Sequence, residues 1–300
     1  MKVLVIANPK LSEFLIKTFS EIGHTCIRTS KSKGFLNIIK DFRNCDIIYA
    51  HAPHDFSVHV LALLFNKKTI VHWIGTDAYS ALSNSLIRYK SQLCNLLINK
   101  QVVVSQLLKK ELNSFGIKKS LVIPILPKFI KNEISNIEQK NKKFTVLTYS
   151  IPHRFEFYGG HEIMRLAEKL PDIDFWILSE CPDDKFRKLK NVRFMGILKA
   201  TEMDLIYNNC HLLIRYVKHD GTPKMVLEAL QKGLQVIYNF DFPHTHYCNS
   251  VEQMENKIKY LKDNFCINYP GREFVLQQYS AEHNKMLFKN LFNEFTNHKE

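Results

Sequence analysis

The sequence predicts an α/β protein built from two Rossmann-like β/α/β domains that face each other across a cleft. Short apolar segments alternate with longer segments of helical period, which is the pattern of a parallel sheet covered by helices. The alternation stops at residues 127–143, which are polar and unpatterned, and then starts again. A chain of 300 residues, of which 45% are hydrophobic, is long enough to bury two separate cores.

The first domain is predicted over residues 1–126 and lies on the acceptor side of the cleft. Gly23 and Gly116 stand where helices are expected to end, because glycine adopts the left-handed C-cap conformation without strain. The predicted strands are Lys2–Ala7, Thr25–Arg28, Asp46–His51, Thr69–His72, Gln101–Val104 and Leu121–Pro124. The predicted helices are Ser12–Ile22, Gly34–Phe42, Phe56–Asn66, Ala81–Asn99 and Gln106–Phe115.

The second domain is predicted over residues 144–278, after an interdomain linker at residues 127–143. Its predicted strands are Phe144–Ser150, Asp174–Leu178, Val192–Met195, Leu212–Tyr216 and Gln235–Asn239, and its predicted helices are His161–Leu170, Glu202–Asn208 and Pro223–Lys232. Residues 279–300 form a C-terminal helix that closes back, because Ser280 is a good N-cap and Phe288, Leu291 and Phe292 supply an apolar stripe.

Composition excludes several classes of protein. The longest apolar run, Val60–Phe65, is far below the ~20 residues that span a bilayer, so a cytoplasmic protein is expected. The seven cysteines are widely spaced, which indicates neither a disulfide framework nor a zinc site. No spaced set of histidines and acids suggests a metal, and Asp172-Ile-Asp174 lies in a helix-to-strand connection, where it is interpreted as structural.

The net charge of +13 indicates an anionic partner. The excess is concentrated between Arg88 and Lys143, where 12 basic and 3 acidic residues occur among Leu93, Leu96, Leu97, Leu107, Leu108, Phe115 and Phe129. An anionic membrane surface, a phosphorylated substrate and nucleic acid all fit this charge. Nucleic acid is disfavoured, since no helix-turn-helix or aromatic RNA-binding motif accompanies it.

The segment Ile214–Ile237 carries most of the functional information. A buried strand ends near Tyr216, and a polar turn with Lys218, His219 and Asp220 leads to a helix that is expected to begin with Thr222 as its cap. Such a helix start exposes backbone N–H groups and a partial positive charge, which suits a diphosphate. Asp220 and Glu228 are both expected to face the same cavity.

This segment resembles the donor-binding motif of GT-B glycosyltransferases, in particular glycosyltransferase family 4. The family places two glutamates eight positions apart around a Gly-x-Pro turn, and here D-G-T-P-K-M-V-L-E-A-L-Q-K-G-L-Q-V-I matches at nearly every anchoring position. Asp220 stands where the family has its first glutamate, and Gln235 stands where it has a proline. The family's Gly-rich turn after the first strand is replaced by Asn8-Pro9-Lys10.

The resemblance implies roles for particular residues. Asp220 would hold hydroxyls of the donor sugar, Glu228 would bind the ribose, and His72 would lie beside the sugar. Arg154 stands in the place of the family's diphosphate-binding arginine, whereas the neighbouring lysine is absent. The diphosphate would then meet the turn and helix start formed by Gly221, Thr222, Pro223 and Lys224, with Arg215 and Lys218 nearby.

Each residue also has a structural alternative. Glu228 is also explained as a solvated helix acid paired with Lys224, and Asp220 as a turn residue bonded to its own backbone. His72 ends a buried strand, where a histidine bonded to a carbonyl is common, and Asp77 is explained as a helix cap. His51 and His54 end the preceding strand and would line the acceptor side.

The resemblance implies a retaining, metal-independent glycosyltransferase that uses a nucleoside diphosphate sugar as co-substrate, without a resident cofactor. The acceptor would be a hydroxyl group, with a lipid-linked glycan as one candidate, in glycan, polysaccharide or glycolipid biosynthesis. The basic stretch adds a peripheral location on the inner face of the plasma membrane as one possibility. The alternative is an inactive GT-B-like subunit that binds nucleotide sugar or a partner protein.

Overall fold

A computed structural model of the protein describes residues 1–29, 35–51, 53–126 and 143–296. The chain divides into two compact units, one formed by Met1–Ile125 with Ala281–Glu300 and the other by Leu126–Ser280. Residues 127–142 of the predicted linker, which include Phe129, and Gly34 of a predicted helix lie outside the described residues. Within the described ranges, no helix combines the length and the apolar character needed to cross a bilayer.

The first unit is built on a six-stranded parallel sheet. All six predicted strands are confirmed, with ends that differ from the prediction by at most two residues. The strands are β1 (Lys2–Ile6), β2 (Thr25–Thr29), β3 (Ile47–Ala50), β4 (Lys68–Trp73), β5 (Lys100–Val103) and β6 (Leu121–Val122), in the order β2-β1-β3-β4-β5-β6. The helices are α1 (Pro9–Glu21), α2 (Phe35–Asn44), α3 (Phe56–Leu64), α4 (Thr76–Ser83), α5 (Ser85–Asn95) and α6 (Gln106–Ser114).

The single helix predicted at Ala81–Asn99 is wrong, because the chain forms two helices there. Asn84 has an extended backbone (φ −134°, ψ 116°), which ends α4. Its side chain then accepts hydrogen bonds from the N–H groups of Leu86 and Ile87, at 2.9 and 3.2 Å. Asn84 is therefore the N-cap of a new helix, α5. Apolar periodicity continues across this break, so it does not reveal the change of direction.

The second unit contains another six-stranded parallel sheet, with one strand and two helices that were not predicted, namely β12, α10 and α11. Its strands are β7 (Thr145–Tyr149), β8 (Asp174–Leu178), β9 (Val192–Phe194), β10 (Leu212–Arg215), β11 (Gln235–Tyr238) and β12 (His246–Tyr247), in the order β12-β11-β10-β7-β8-β9. Its helices are α7 (Gly160–Lys169), α8 (Ala200–Asn208), α9 (Lys224–Gln231), α10 (Val251–Asp263) and α11 (Tyr269–Gln278).

The C-terminal helix α12 (Ala281–Thr296) belongs to the first unit, as the predicted closing helix requires. Phe288 and Phe292 are buried and place their rings edge-on to Phe19 of α1, at centroid distances of 5.1 and 4.9 Å. Asn284, also buried, donates to the backbone carbonyl of Pro124 at 2.8 Å. The end of the chain thus completes the core on one face of the first sheet.

The order of the second sheet places β10 and β7 side by side at its centre. From β7 the chain crosses over toward β8, whereas from β10 it crosses over toward β11 on the other side. The loops at the carboxyl ends of these two strands therefore diverge and leave a crevice, which is where open α/β sheets bind ligands.

Candidate functional site

The loops after β7 and β10 are held together by a close backbone contact. Gly159 has φ +64°, and a Cβ atom on it would lie 2.6 Å from the carbonyl oxygen of Tyr216. The N–H of Lys218 donates to the carbonyl of Phe157 at 2.9 Å. Only glycine combines this left-handed conformation with so close an approach. Gly159 also precedes the first residue of α7, so the N-terminus of that helix is placed at the crevice.

Asp220 lies in the loop after β10 and is buried. Its Oδ2 accepts a hydrogen bond from Nε of Arg215 at 2.9 Å and one from the hydroxyl of Tyr238 at 3.2 Å. Its Oδ1 accepts from the N–H of Gly221 at 3.1 Å. Arg215 and Tyr238 are register partners on the neighbouring strands β10 and β11, so the parallel sheet itself brings both donors to one carboxylate.

Arg215 is the charged centre of the site. Its side chain is only 13% exposed. Burial pulls the pKa of its guanidinium down, but the ion pair with Asp220 outweighs this, so the pKa is raised and the charge is retained. Of its five N–H donors, Nε–H serves Asp220, while the two Nη groups donate to no acceptor among the described residues. These donors are available to an anionic ligand.

Two arginines lie around one aromatic ring at the crevice. The guanidinium of Arg215 is 5.2 Å from the centroid of Tyr158, and that of Arg154 is 5.9 Å from the same centroid. Arg154 is exposed and also stacks on Phe157 at 4.2 Å. Because Tyr158 follows β7 and Arg215 ends β10, the pair of cations spans the two central strands. This arrangement concentrates positive charge at the topological switch point of the sheet.

A cavity of about 610 Å³ opens beside this ring. Tyr149, which packs edge-on against Tyr158 at 5.1 Å, forms part of its wall and connects the cavity to the arginines. The size is typical of a site for a small molecule or cofactor. The other walls come from the loops after β7, β8 and β9 and from α8 and α9: Ser150, Ile151, Pro152, His153, Leu178, Ser179, Glu180, Gly196, Ile197, Leu198, Met203 and Met225.

Glu228 lies next to the cavity on α9. Met225 lines the cavity and precedes Glu228 by three residues, so the two side chains are neighbours on one face of the helix. Glu228 is half-buried, and its Oε2 accepts a hydrogen bond of 2.7 Å from the hydroxyl of Tyr207. Burial raises the pKa of the Glu228 carboxyl, and the Tyr207 hydrogen bond and the charge of Lys224 only partly oppose this.

The start of α9 differs from the prediction. The helix begins at Lys224 with Pro223 at the N-cap, and no side chain caps it, so the expectation that Thr222 is the cap is wrong. The N–H of Lys224 instead donates to the carbonyl of Thr222 at 2.8 Å, which tightens the turn. The N–H groups of Met225 and Val226 have no acceptor within the helix, because they precede its first full turn.

Lys218 lies at the exposed margin of the site. Its Nζ forms an ion pair of 2.6 Å with Oε1 of Glu156, which ties the loop after β10 to the loop after β7 once more. The Glu156 side chain is exposed, and the pKa of its carboxyl is lowered by this hydrogen bond. The ammonium group of Lys218 is therefore engaged by a carboxylate in this structure.

Several known structures resemble the chain over nearly its whole length. HepE of Anabaena, in a crystal structure with UDP and glucose, has a TM-score of 0.72 at 12% sequence identity, covering 98% of this chain and 100% of HepE. The lipopolysaccharide outer core galactosyltransferase WaaB has a TM-score of 0.71 at 13% identity, with 98% and 100% covered. A glycosyltransferase from Rickettsia africae has 0.70 at 17% identity, with 97% and 96% covered.

The chain has the GT-B fold. No protein-family model and no curated protein matches the sequence. Membership of glycosyltransferase family 4 in particular therefore stays a prediction. In this GT-B fold, the second unit brings together Arg154, Arg215 and Asp220, and it places Gly221, Pro223 and Lys224 at the adjoining turn and helix start. Glu228 lies on α9, one helical turn after the cavity residue Met225.

His72 is placed differently from what the resemblance implies. It is completely buried, Nδ1 is 2.7 Å from the hydroxyl of Tyr49, and Nε2 is 3.0 Å from the carbonyl of Ile123. Burial lowers the pKa of its imidazole to about 3, so the ring is neutral. His72 lies within β4 on the same face as Ile70, which belongs to the buried core. His72 is therefore a buried histidine bonded to a backbone carbonyl, which was the structural alternative to a role beside the sugar. Neither ring nitrogen is available to a ligand.

The other polar residues of the first unit also have structural partners. Asp77 accepts hydrogen bonds from the N–H groups of Ile74, Gly75 and Ala78 at the start of α4. His51 approaches Asp77 at 3.5 Å, and His54 bonds to Ser91 at 2.7 Å. Asp77 is the second residue of α4 and Gly75 is at the N-cap, so Asp77 bonds to backbone around the helix start without being the N-cap itself.

Asp172 and Asp174 are surface residues that form ion pairs with Lys262 and Lys143. In the described part of the chain, no group of three His, Cys, Asp or Glu side chains could hold a metal ion. The Asp-x-Asp motif is therefore engaged in surface ion pairs.

The sequence interpretation missed the three tyrosines that organise the site. Tyr158 contacts both arginines, Tyr238 bonds to Asp220, and Tyr207 bonds to Glu228. Tyr207 follows the cavity residue Met203 by four residues on α8, so helical spacing places the two side chains on the same face of that helix. Tyr238 depends on the strand register, which periodicity does not specify.

Proposed function

We propose that the protein is a retaining glycosyltransferase that transfers a sugar from a nucleoside diphosphate sugar to a hydroxyl acceptor. The observation that carries this proposal is the cluster of Arg154 and Arg215 around Tyr158, at the switch point of the second sheet and beside a cavity. A positive site joined to a mostly apolar cavity suits a ligand with a diphosphate at one end and a flat ring at the other.

The cavity receives the nucleoside in this proposal. Leu198, Met203 and Met225 offer apolar surface for a base, and the half-buried Glu228 carboxylate accepts hydrogen bonds from ribose hydroxyls. The GT-B protein HepE was crystallised with UDP and with UDP-glucose, so UDP is the first nucleotide to test. Tyr207 keeps the Glu228 carboxylate in one orientation through its hydroxyl hydrogen bond.

The diphosphate is bound by the free Nη groups of Arg215, by Arg154 and by the N–H groups at the starts of α7 and α9. Helix N-termini favour anions through their partial positive charge and unpaired N–H groups. Asp220 holds Arg215 in place through Oδ2. Its Oδ1, which has one N–H partner, retains a lone pair for a hydroxyl of the donor sugar. The proposal assigns no role to a metal ion or to a resident cofactor.

The chemistry follows from this placement. The bond between the anomeric carbon and the leaving diphosphate oxygen breaks, and the acceptor oxygen forms a new bond to that carbon on the same face. The acceptor proton passes to the leaving diphosphate oxygen. Arg215, Arg154 and the helix N-termini stabilise the negative charge that grows on the diphosphate as the bond breaks.

The acceptor in this proposal is a hydroxyl group of a growing glycan, polysaccharide or glycolipid, with a lipid-linked glycan as the first candidate. The motivation is the excess of basic residues between Arg88 and Lys143, which suits an anionic membrane surface on the cytoplasmic side. The choice of acceptor is tested separately by comparing sugar transfer to acceptors in a lipid extract with transfer to a water-soluble sugar.

A second candidate is a nucleotide-sugar-binding subunit without transferase activity. It is favoured by one observation: the turn after β1 contains Asn8, whose side chain caps α1 by accepting from Leu11 N–H at 3.0 Å, in place of a Gly-rich turn. Binding of a nucleotide sugar without transfer or hydrolysis would support this candidate.

The test of transferase activity is turnover of a panel of nucleoside diphosphate sugars, with release of the nucleoside diphosphate as the readout. We expect turnover by the wild type and a loss of about tenfold or more for Glu228→Ala, because the ribose loses its hydrogen-bond acceptor. Glu168→Ala, an exposed acid on α7, is the matched control. Equal activity of Glu228→Ala and the wild type would contradict the assigned role. The anomeric configuration of the product, read by NMR, tests retention.

A further inference from the structure

Exposed apolar side chains are concentrated on two helices of the first unit. Among the described residues, 14 large apolar or aromatic side chains are exposed, and seven of them lie on α3 and α5 or directly after α5. Contiguous exposed apolar surface on a soluble domain marks an interaction site, whereas single exposed residues do not. The seven residues are Phe56, Leu63, Leu64, Leu86, Tyr89, Leu93 and Leu96.

On α5 the exposed residues follow the helical period. Leu86, Tyr89, Leu93 and Leu96 are spaced by three and four residues, so they form one stripe along the helix. The opposite side of α5 carries the buried Ser91 and Cys94. The amphipathic pattern of α5 thus points its apolar stripe away from the protein.

Helix α3 extends the stripe. It contacts α5, and its own exposed residues Phe56, Leu63 and Leu64 are seven and eight positions apart, which places them on one side of the helix. Val58, His59 and Ala62 face inward. We call the outward surface formed by these seven residues of α3 and α5 the α3–α5 face.

The exposed apolar surface differs from the one expected from the sequence, which lay between Arg88 and Lys143. Leu93 and Leu96 are exposed as expected, but Leu108 and Phe115 are buried in the core beneath α6. Phe56, Leu63, Leu64, Leu86 and Tyr89 were not part of the expected surface. The apolar residues that can reach a partner therefore belong to α3 and α5.

The charge around this face is positive. Residues 55–119, which run from the N-cap of α3 to the loop before β6, contain nine Lys or Arg and three Asp or Glu. Lys90 is exposed on α5 itself, and Lys68 is exposed at the start of β4, where its Nζ lies 5.7 Å from the ring centroid of Phe295 on α12. A second copy of this chain would bring the same positive surface to the interface and be repelled. An anionic bilayer attracts the lysines and accepts the apolar side chains between its headgroups.

We propose that the α3–α5 face docks the first unit onto an anionic lipid bilayer. Leu63, Leu64, Leu86 and Leu96 enter the boundary between headgroups and acyl chains, while the neighbouring lysines contact lipid phosphates. The inference deepens the proposed membrane location of the transferase, but docking itself does not require donor binding.

The test is co-sedimentation of the full chain with vesicles of phosphatidylcholine, with and without phosphatidylglycerol, at low and high salt. We expect binding to the anionic vesicles that decreases at high salt. For the variant carrying Leu64→Ser, Leu86→Ser and Leu96→Ser, we expect the affinity for anionic vesicles to fall by about tenfold or more. The reason is that a serine side chain gains no free energy from insertion into the apolar part of the bilayer. These three leucines are 72%, 59% and 79% exposed, so their replacement leaves the folded core intact.

The matched control carries Tyr260→Ser, Tyr269→Ser and Met286→Ser, which are exposed on α10, α11 and α12. It should bind vesicles like the wild type. The proposal is overturned if the wild-type protein does not co-sediment with anionic vesicles, or if both triple variants lose vesicle binding to the same extent. It is also overturned if the α3–α5 variant only converts a dimer to a monomer in sedimentation velocity, since the face would then cover a second copy. UDP titration of the same variants reports donor binding separately, so a failed docking test leaves the proposed function untouched.

Discussion

Arg215 and Asp220 form a buried ion pair in which Nε of the arginine donates to Oδ2 of the aspartate at 2.9 Å. The aspartate uses only this one edge of the guanidinium, so the Nη donors remain directed elsewhere. A fixed arginine with unused donors is an organised anion receptor, because the cost of orienting its side chain is already met within the folded protein. The proposed nucleotide site depends on this pair.

Replacement of Arg215 by lysine tests the geometry of the pair and not only its charge. Lysine keeps one positive charge but loses the planar fork, so its single nitrogen cannot reproduce the Nε hydrogen bond to Asp220 and also present two Nη groups to a diphosphate. We expect the affinity for UDP to fall about tenfold to a hundredfold, which corresponds to about 1.4 to 2.8 kcal/mol. Calorimetric titration measures the change.

Arg187→Lys is the matched control for this substitution. Arg187 forms an exposed ion pair with Asp184 on a surface turn, at 2.9 Å, and is not part of the site. We expect its UDP affinity to equal that of the wild type. If Arg215→Lys and Arg187→Lys bind UDP equally well, Arg215 does not contact the diphosphate.

The raised pKa of Glu228 predicts a pH dependence of nucleotide binding. Only the ionised carboxylate is a strong acceptor for two ribose hydroxyls, and burial raises the pH at which it takes up a proton. UDP affinity should therefore fall with decreasing pH at a value above the ordinary 4.5 of a glutamate. Tyr207→Phe removes the hydrogen bond that lowers this pKa, so the fall should move to higher pH.

Glu228→Gln separates this effect from ionisation of the nucleotide itself. The glutamine does not titrate, so any pH dependence that remains in this variant belongs to the diphosphate. We expect the pH profiles of UDP affinity for the wild type and Glu228→Gln to differ by a single titration, that of the Glu228 carboxyl. Tyr207→Phe should shift this titration to higher pH. Identical profiles for the wild type and Glu228→Gln would show that Glu228 does not bind the ligand.

The contact between Gly159 and Tyr216 predicts a large effect for the smallest possible substitution. In Gly159→Ala, the new methyl group would lie 2.6 Å from the Tyr216 carbonyl oxygen, and φ is +64°. We expect the free energy of unfolding to decrease by about 1–3 kcal/mol and UDP binding to weaken, because the two loops of the site must separate.

Gly23→Ala supplies the reference for backbone strain alone. Gly23 follows α1 with φ +90°, and a Cβ atom there would meet nothing within 4 Å. The expected loss is about 1 kcal/mol, without a change in UDP affinity. Thermal unfolding and titration of both variants provide the comparison, and equal effects on stability and binding would argue against the loop contact.

The strands and most helices were predictable from the sequence because both depend on local periodicity. The repeat of short apolar runs and helical segments indicated two successive parallel sheets, and the ends of the eleven predicted strands differ from the observed ends by at most two residues. Two features were not visible in this way. Asn84 breaks a continuous apolar pattern through its side-chain cap, and β12, α10 and α11 form in a segment for which the sequence predicts no strand or helix.

Only part of the candidate site was predictable, because some of its residues are close in sequence whereas others meet only in the folded protein. Asp220 and Glu228 belong to a local turn and helix, so the sequence alone placed them in the loop after β10 and on α9. The partners of those acids are distant in sequence: Tyr238 reaches Asp220 through strand register, and Tyr207 reaches Glu228 from another helix. His72 was assigned to the sugar because it occupies the position of a histidine in the family that the chain resembles, whereas its side chain lies in the buried core.

The buried His72 predicts how the first unit responds to acid. Its pKa is lowered to about 3 from 6.5, because burial disfavours the imidazolium. Below pH 6.5 the unfolded chain therefore binds a proton that the folded chain does not, so stability decreases as the pH falls toward 3. His72→Gln should remove about 1.4 kcal/mol per pH unit from this slope, while lowering stability at neutral pH.

The fluorescence of Trp73 measures this response in the first unit, provided that the other tryptophan is replaced by Trp176→Phe. Trp73 is buried beside Phe115 and His54, so its emission reports unfolding of that unit. His54 and His24 also have pKa values lowered by burial and remain in both proteins, so they cancel in the comparison. Parallel pH slopes for the wild type and His72→Gln would contradict the account of His72.

The most direct test of the nucleotide site is calorimetric titration of the wild-type protein with UDP, alongside Arg215→Lys and Glu228→Gln. We expect one binding site per chain for the wild type and weaker binding in both variants, with melting temperatures high enough to show that each variant is folded. Failure of the folded wild-type protein to bind any nucleoside diphosphate, or binding that neither substitution weakens, would contradict this expectation.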